Sequence, residues 1–352
     1  MAKFWTIRAG KQGERTQWAI NKSLIGGGWQ GIPDLTGVKD KEELRKIVEE
    51  VKGGSKNVVG NYTGQLWAMT NTIQPGDYMV LSIRATSQVA IGEVTKGYHY
   101  LADQEDPNQR HVLGVKWLRT DIPKTAFKQD LLYQMGSALT VFRLGNNDAE
   151  YRLEQVLATG KDPGARTTFS GEPSTSSKSK EADVSDSIET ESLDLEQIAQ
   201  DEIAKRLEED FKGHELSELV SALLTAEGFS CFMSPPGADG GADVLAGMGP
   251  LGMDSPKLVV QVKSQTSPVG DAVVQQLDGA IRRFKADQAL LVAFGGVTGP
   301  AKNKLETEYF NIRVWTMSDI LASIYKNYDK LPNDLRARIP MKQIWVPFNE
   351  DE

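Results

Sequence analysis

Two domains of different class are predicted for this chain: a compact α+β domain built as a small barrel, then an α/β domain with a central mixed sheet. Three observations predict this. The 352 residues exceed the roughly 250–300 that one core usually organises. Net charge changes along the chain, being +3 over residues 1–159, −3 over 160–192 and −8 over 193–352. Finally, residues 160–192 are rich in Ser, Thr, Gly, Pro and acid and nearly lack large apolar side chains. Such a segment buries too little surface to offset its ordering entropy. It reads as a flexible linker with a coil dimension on the order of 30 Å.

In residues 1–159 the stretches KFWTIRA, GDYMVLSIRA, QVAIGEVTKGYHY and HVLGVKWLR alternate like strands, and DKEELRKIVEEV is a helix. In residues 193–352, LDLEQIAQDEIAKRLEEDF carries apolar positions at helical spacing and ELSELVSALLTAEGF is a second helix. The runs LVVQVK and ALLVAF read as buried strands joined by the amphipathic VVQQLDGAIRRFKA. NIRVWT and MSDILASIYKNY continue the alternation. No apolar run approaches the roughly 18 residues a membrane span requires, and the opening residues contain no apolar signal core. One cysteine, Cys231, and three histidines give no internal disulfide and little basis for a zinc site. A cytoplasmic protein without a membrane partner is expected.

The chemistry concentrates between residues 237 and 263. GADGGADVLAG supplies Asp239 and Asp243, with Asp239 read as a turn residue. LVVQVKSQ supplies Gln261 and Lys263, which share one face of a strand because alternate side chains do. If the strand after Asp243 pairs with the strand of Gln261, a carboxylate, an amide oxygen and an ammonium converge. Carboxylate and carbonyl oxygens are hard ligands suited to Mg²⁺. Mg²⁺ polarises a phosphate and acidifies a bound water, and a neighbouring lysine offsets developing charge.

The motif G-x-D-G-G-x-D followed by Q-V-K on a strand resembles the catalytic domain of Mrr-like restriction endonucleases, within the PD-(D/E)xK superfamily. The resemblance covers roughly residues 210–325. It implies Asp243 as the metal-binding acid, Gln261 at the second-acid position, Lys263 as the catalytic lysine and the Val262 backbone carbonyl as a further ligand. The metal it implies is Mg²⁺, with Mn²⁺ able to substitute. Relatives often add a glutamate from the opening helix. Here the position usually acidic holds Ser217, and Glu215 and Glu218 lie nearby on one helix face, with Glu215 ranked first.

The first domain holds Trp5, Trp18, Trp29, Trp67 and Trp117. Trp5 and Trp117 sit in strand-like runs and read as core. Trp29 lies in the glycine-rich IGGGWQGIPDL, where little local core is expected, and Trp67 follows the loop-like GNYTGQL with Tyr62. Aromatics on loops can sandwich a base. The order FWTIRAG, IGGGWQGIPDL, GDYMVLS, AIGEVTKGYHY and HVLGVKWL resembles EVE-like members of the PUA superfamily, over roughly residues 1–155. That resemblance implies a PUA-like barrel with a modified-base pocket at Trp29, Trp67 and Tyr62. Asp34 stands at its rim, or serves a turn. Together the two resemblances imply a modification-dependent endonuclease acting on double-stranded DNA, dimeric at least on DNA, in anti-phage defence. A nuclease switched by a small nucleotide ligand is the alternative. A non-enzymatic RNA-binding module is the third reading, and the intact Asp243, Gln261 and Lys263 count against it.

Overall fold

The computed structural model describes residues 2–166, 194–235 and 241–345. The chain divides into two compact units, one drawn mostly from residues up to 195 and the other mostly from 196 onward. Among the described residues no helix is long and apolar enough to cross a membrane.

The first unit runs β1 (Phe4–Ile7), α1 (Thr16–Lys22), β2 (Leu24–Ile25), α2 (Lys41–Lys52), α3 (Lys56–Trp67), β3 (Tyr78–Ile83), β4 (Gln88–Tyr100), β5 (His111–Pro123), α4 (Gln129–Met135), β6 (Val141–Leu144) and α5 (Ala149–Thr159). The strands form one sheet in the order β2-β5-β4-β3-β1-β6. The β1–β3 pair is parallel, and β1–β6 and β2–β5 are antiparallel. The sheet is open, with β2 and β6 at its edges, so the expected closed small barrel is not formed. The physical reason is burial on two faces rather than one interior. Trp5 and Ile7 join a core with Ala19, Leu44, Val48, Val59 and Leu66 of α1 to α3. Phe4 joins a separate core with Leu131, Leu153 and Val156 of α4 and α5. All four residues of β1 are consequently buried, as in strands covered by helices on both sides.

Two local devices fix this frame. Gln65 on α3 is buried, and its Oε1 accepts the backbone N–H groups of Thr140 (2.7 Å) and Val141 (2.9 Å), seating the start of β6. Arg152 on α5 has no exposed surface. It grips Asp162 through Nε (2.8 Å) and Nη2 (2.7 Å), and Asp130 through Nη1 (2.6 Å) and Nη2 (2.8 Å). The expected linker lies mostly outside the described residues. Both described flanks bond to this same unit: Arg166 pairs with Asp148, and Asp194 with Arg8 and the Gly136 carbonyl.

The second unit runs α6 (Leu195–Asp210), α7 (His214–Ala226), β7 (Ser230–Met233), β8 (Val244–Met248), β9 (Asp254–Lys263), α8 (Asp271–Phe284), β10 (Gln288–Ala293), α9 (Gly299–Thr307), β11 (Ile312–Trp315), α10 (Met317–Asn327) and α11 (Asn333–Arg338). Its five-stranded mixed sheet has the order β11-β10-β9-β8-β7. The β9, β10 and β11 strands are parallel, and β7 and β8 are added antiparallel. Helices cover both faces. Val260, Val262, Leu290 and Val292 pack with Leu219 and Leu223 of α7 and Ile320 and Ile324 of α10. Val259, Ala289 and Leu291 pack with Val274 and Leu277 of α8 and Ala301 of α9. The near-continuous apolar run of LVVQVK follows from this double coverage.

Candidate active site

The loop into β8 brings the acid to the central strand. Gly241 has φ +90°, a left-handed conformation that glycine adopts without steric cost, and it immediately precedes Ala242 and Asp243. The Asp243 N–H donates to the Val260 carbonyl (2.8 Å), and its carbonyl accepts from the Ser234 N–H (3.0 Å). Val244 is in register with Val260, which sets Asp243 beside Gln261. The carboxylate Oδ2 of Asp243 accepts the backbone N–H of Val262 at 2.7 Å. In an extended strand the N–H and C=O of one residue face the same neighbour. The Val262 carbonyl is therefore on the Asp243 side of β9.

Gln261 is 5% exposed, and its Oε1 is buried without a hydrogen-bond partner. A buried amide oxygen left unpaired costs on the order of 1–3 kcal/mol, a cost that a ligand at that oxygen would remove. Lys263 follows two residues on, half-buried at the carboxyl end of β9, with its carbonyl accepting from Phe294 N–H (3.2 Å). Carboxylate, orphaned amide oxygen and backbone carbonyl form an all-oxygen donor set of the kind Mg²⁺ takes. Among the described residues there is no cluster of three or more His, Cys, Asp or Glu. Asp239 and Gly240 lie outside the described residues.

The opening helix approaches the same strand end. The Gly213 N–H, at the start of α7, donates to Ser264 Oγ at 3.1 Å, next to Lys263. Glu215 lies in the first turn of α7 and is exposed, and its carboxylate pairs with Arg338 of α11 at 3.3 Å. Glu218, also exposed, instead lines a groove with Ser221, Thr225 and Lys330. Ser217 is buried, its hydroxyl turned back to the Gly213 carbonyl.

In the first unit Trp29 is 3% exposed and belongs to the core. The expectation that it has little core to join is thus corrected: α2 and α3 supply that core. Tyr62 meets it edge-on, with ring centroids 5.8 Å apart, and Trp67 packs half-buried against the same core. The indole N–H of Trp29 is buried without a partner. Asp34 is exposed, and its carboxylate accepts from Thr36 N (2.9 Å) and Thr36 Oγ1 (2.6 Å), the geometry of a turn.

Residues the motifs did not single out pin this loop. The Ile32 carbonyl accepts from His111 Nε2 (3.1 Å), His111 Nδ1 accepts from the Tyr98 hydroxyl (2.9 Å), and Tyr98 in turn accepts from the Leu35 N–H (3.2 Å). Burial lowers the His111 pKa and raises that of Tyr98, so the chain of bonds joins neutral groups. No sequence signal marks His111, because its partners lie 13 and 79 residues away.

The second unit is thus a mixed five-stranded sheet with an acid, a glutamine and a lysine at its central strands. Residues 208–324 match the family model described as restriction endonuclease, Mrr_cat, so the chain carries a restriction endonuclease domain and with it the class of a nuclease. Residues 5–145 match a domain family, DUF8426, whose description assigns no function. The expected EVE-like and PUA kinship rests on the sequence motifs alone. Two solved structures are similar over most of the chain. One is the MspJI restriction endonuclease in complex with a 27-mer oligonucleotide, at 12% identity and TM-score 0.33, covering 96% of this chain and 79% of that one. The other is the DNA modification-dependent restriction endonuclease AspBHI, at 15% identity and TM-score 0.31, covering 90% and 78%. No curated protein matches the chain.

Proposed function

We propose that the protein is a Mg²⁺-dependent DNA endonuclease, directed to DNA carrying a modified base by its first unit. The observation that carries the nuclease half is the juxtaposition of the Asp243 carboxylate with the buried, unpaired Oε1 of Gln261 on adjacent strands. Asp243, Gln261 and the Val262 carbonyl hold the metal in this reading. When bound, Mg²⁺ polarises the scissile phosphate and acidifies its water. Lys263 reaches the same strand end and steadies the attacking water and the charge growing on the phosphate. The Val262 N–H fixes the orientation of the Asp243 carboxylate. Glu215, in the first turn of α7 and only loosely paired with Arg338, is the candidate helix glutamate in this reading. Each site cuts one strand, so duplex scission calls for two protomers. A restriction role against foreign DNA, in the cytoplasm, is the corresponding biology.

The reader half rests on the resemblance of the Trp29, Tyr62 and Trp67 region to modified-base binders, and on the unpaired Trp29 indole N–H. Base reading requires a shift that uncovers Trp29. Extruding a base costs a few kcal/mol, offset by stacking and hydrogen bonds in the pocket. The test is cleavage with Mg²⁺ of one long DNA in unmodified, 5-methylcytosine, hydroxymethylated and glucosylated forms. Cutting of one modified form alone is expected. Equal cutting of every form would refute the reader, and a requirement for an added nucleotide would favour a ligand-switched nuclease.

A further inference from the structure

The second unit is acidic, at net −8 over residues 193–352, yet a DNA nuclease must hold a polyanion beside its catalytic strand. Among the described residues, Arg338 is held in an organised way on the turn that leads to that strand end. Arg338 lies at the end of α11, beyond the residues matched to the nuclease family. Its guanidinium stacks over the ring of buried Phe211, 4.1 Å from the ring centroid, and its Nη2 donates to the Asp210 carbonyl at 2.6 Å. These contacts fix the plane of the fork on the turn between α6 and α7. That turn is the one whose Gly213 N–H is bonded to Ser264, the residue after Lys263.

One carboxylate oxygen of Glu215, Oε2, approaches the same Nη2 at 3.3 Å, leaving the rest of the fork uncommitted to this carboxylate. The contact is loose: the Glu215 side chain is 53% exposed and that of Arg338 33%, and pairs this exposed are worth about 0–1 kcal/mol. A carboxylate and a phosphodiester present the same two-oxygen anionic edge to a guanidinium fork. We infer that Arg338 is a DNA-phosphate subsite flanking the scissile position, and that Glu215 occupies it as a displaceable placeholder in the free protein. The inference rests on the DNA-nuclease reading above. DNA binding then releases Glu215, and the favourable Arg338–phosphate contact replaces a weak internal pair.

The test is binding of full-length protein to a 30-base-pair duplex in EDTA, read by fluorescence anisotropy across a salt series. Arg338→Ala should weaken binding about tenfold, the loss of one charge-assisted contact. It should also reduce the slope of log affinity against log salt by about 1. Arg338→Lys, which keeps the charge but not the fork, should fall between. Glu215→Gln, which removes the competitor, should tighten binding by up to about fivefold, the upper worth of an exposed pair. A purely structural Arg338 would lower the Tm of Arg338→Ala while leaving the salt slope unchanged and giving Glu215→Gln no gain. Either of those last two results overturns the inference. A wild-type protein that binds no DNA overturns the nuclease reading itself, and the inference with it.

Discussion

Replacing Asp243 separates its two tasks. Its Oδ2 accepts the Val262 N–H at 2.7 Å, and its charge supplies the anionic oxygen of the proposed metal site. Asp243→Asn keeps an oxygen able to accept from Val262 and removes the charge. Asp243→Ala removes both. A hydrogen bond to a charged group contributes about 1.5–3 kcal/mol. Against a domain stability of about 5–15 kcal/mol, Asp243→Ala leaves the unit folded. At about 2–4 °C per kcal/mol for a domain of 150–250 residues, its Tm falls by about 3–12 °C. Asp243→Asn should lie much closer to the wild type. Cleavage should behave differently, with both variants losing at least about 10²-fold, the scale of one preorganised electrostatic group. The assays are single-turnover cleavage with Mg²⁺ and thermal unfolding of the same preparations. If Asp243→Asn retains cleavage within tenfold of wild type, or if activity across the two variants tracks Tm, Asp243 is structural and the reasoning fails.

Arg152→Ala strands the buried carboxylate of Asp162, and breaking such a pair costs about 3–5 kcal/mol; urea unfolding monitored in the first unit checks this, and a cost under 1 kcal/mol would show that Asp162 finds other partners. The hydrogen bond from Arg152 holds Asp130 down at about 2, against about 3.9 unfolded, so its contribution is complete above about pH 4 and is lost as pH falls toward 2. An acid titration of stability should show that loss in the wild type and less of it in Asp130→Asn. Tyr98→Phe deletes the link between His111 and the Leu35 N–H, and should weaken the selectivity between modified and unmodified DNA more than it weakens Mg²⁺-dependent cleavage at high enzyme; equal loss of both would argue that the loop is not part of the reader. Because both flanks of residues 167–193 are bonded to the first unit, deleting about ten residues from within that segment should leave cut positions unchanged. Mapping the ends of the cleavage products would show a shift if the segment sets the reach.

The candidate site was legible because it is local. Gln261 and Lys263 share a strand face through the two-residue period, and the glycines before Asp243 announce a turn into the neighbouring strand; pairing between β8 and β9 then completes the set. Expected and observed architecture diverge where elements depend on distant packing. GNYTGQL reads as a loop because its two glycines, with Asn61 and Thr63, depress helix propensity. It folds as part of α3 because Ser55 caps that helix at Val58 N and because Val59, Thr63 and Leu66 are buried along one face. With α3 unread, Trp29 has no visible core, and its aromatic ring in a glycine-rich loop suggests exposure. The open sheet was hidden for a related reason: α4 and α5, which cover its second face, carry weak periodicity in short segments. The Arg338–Glu215 pair joins positions 123 residues apart, beyond any pattern of spacing.

The most direct measurement is cleavage by full-length protein of the DNA form it prefers, with Mg²⁺ or with EDTA, beside Lys263→Ala at equal concentration and matched Tm. The account predicts cutting by wild type with Mg²⁺ only and none by Lys263→Ala. Cutting that survives in EDTA, or in Lys263→Ala, would contradict the assignment of hydrolysis to the Asp243–Gln261–Lys263 site.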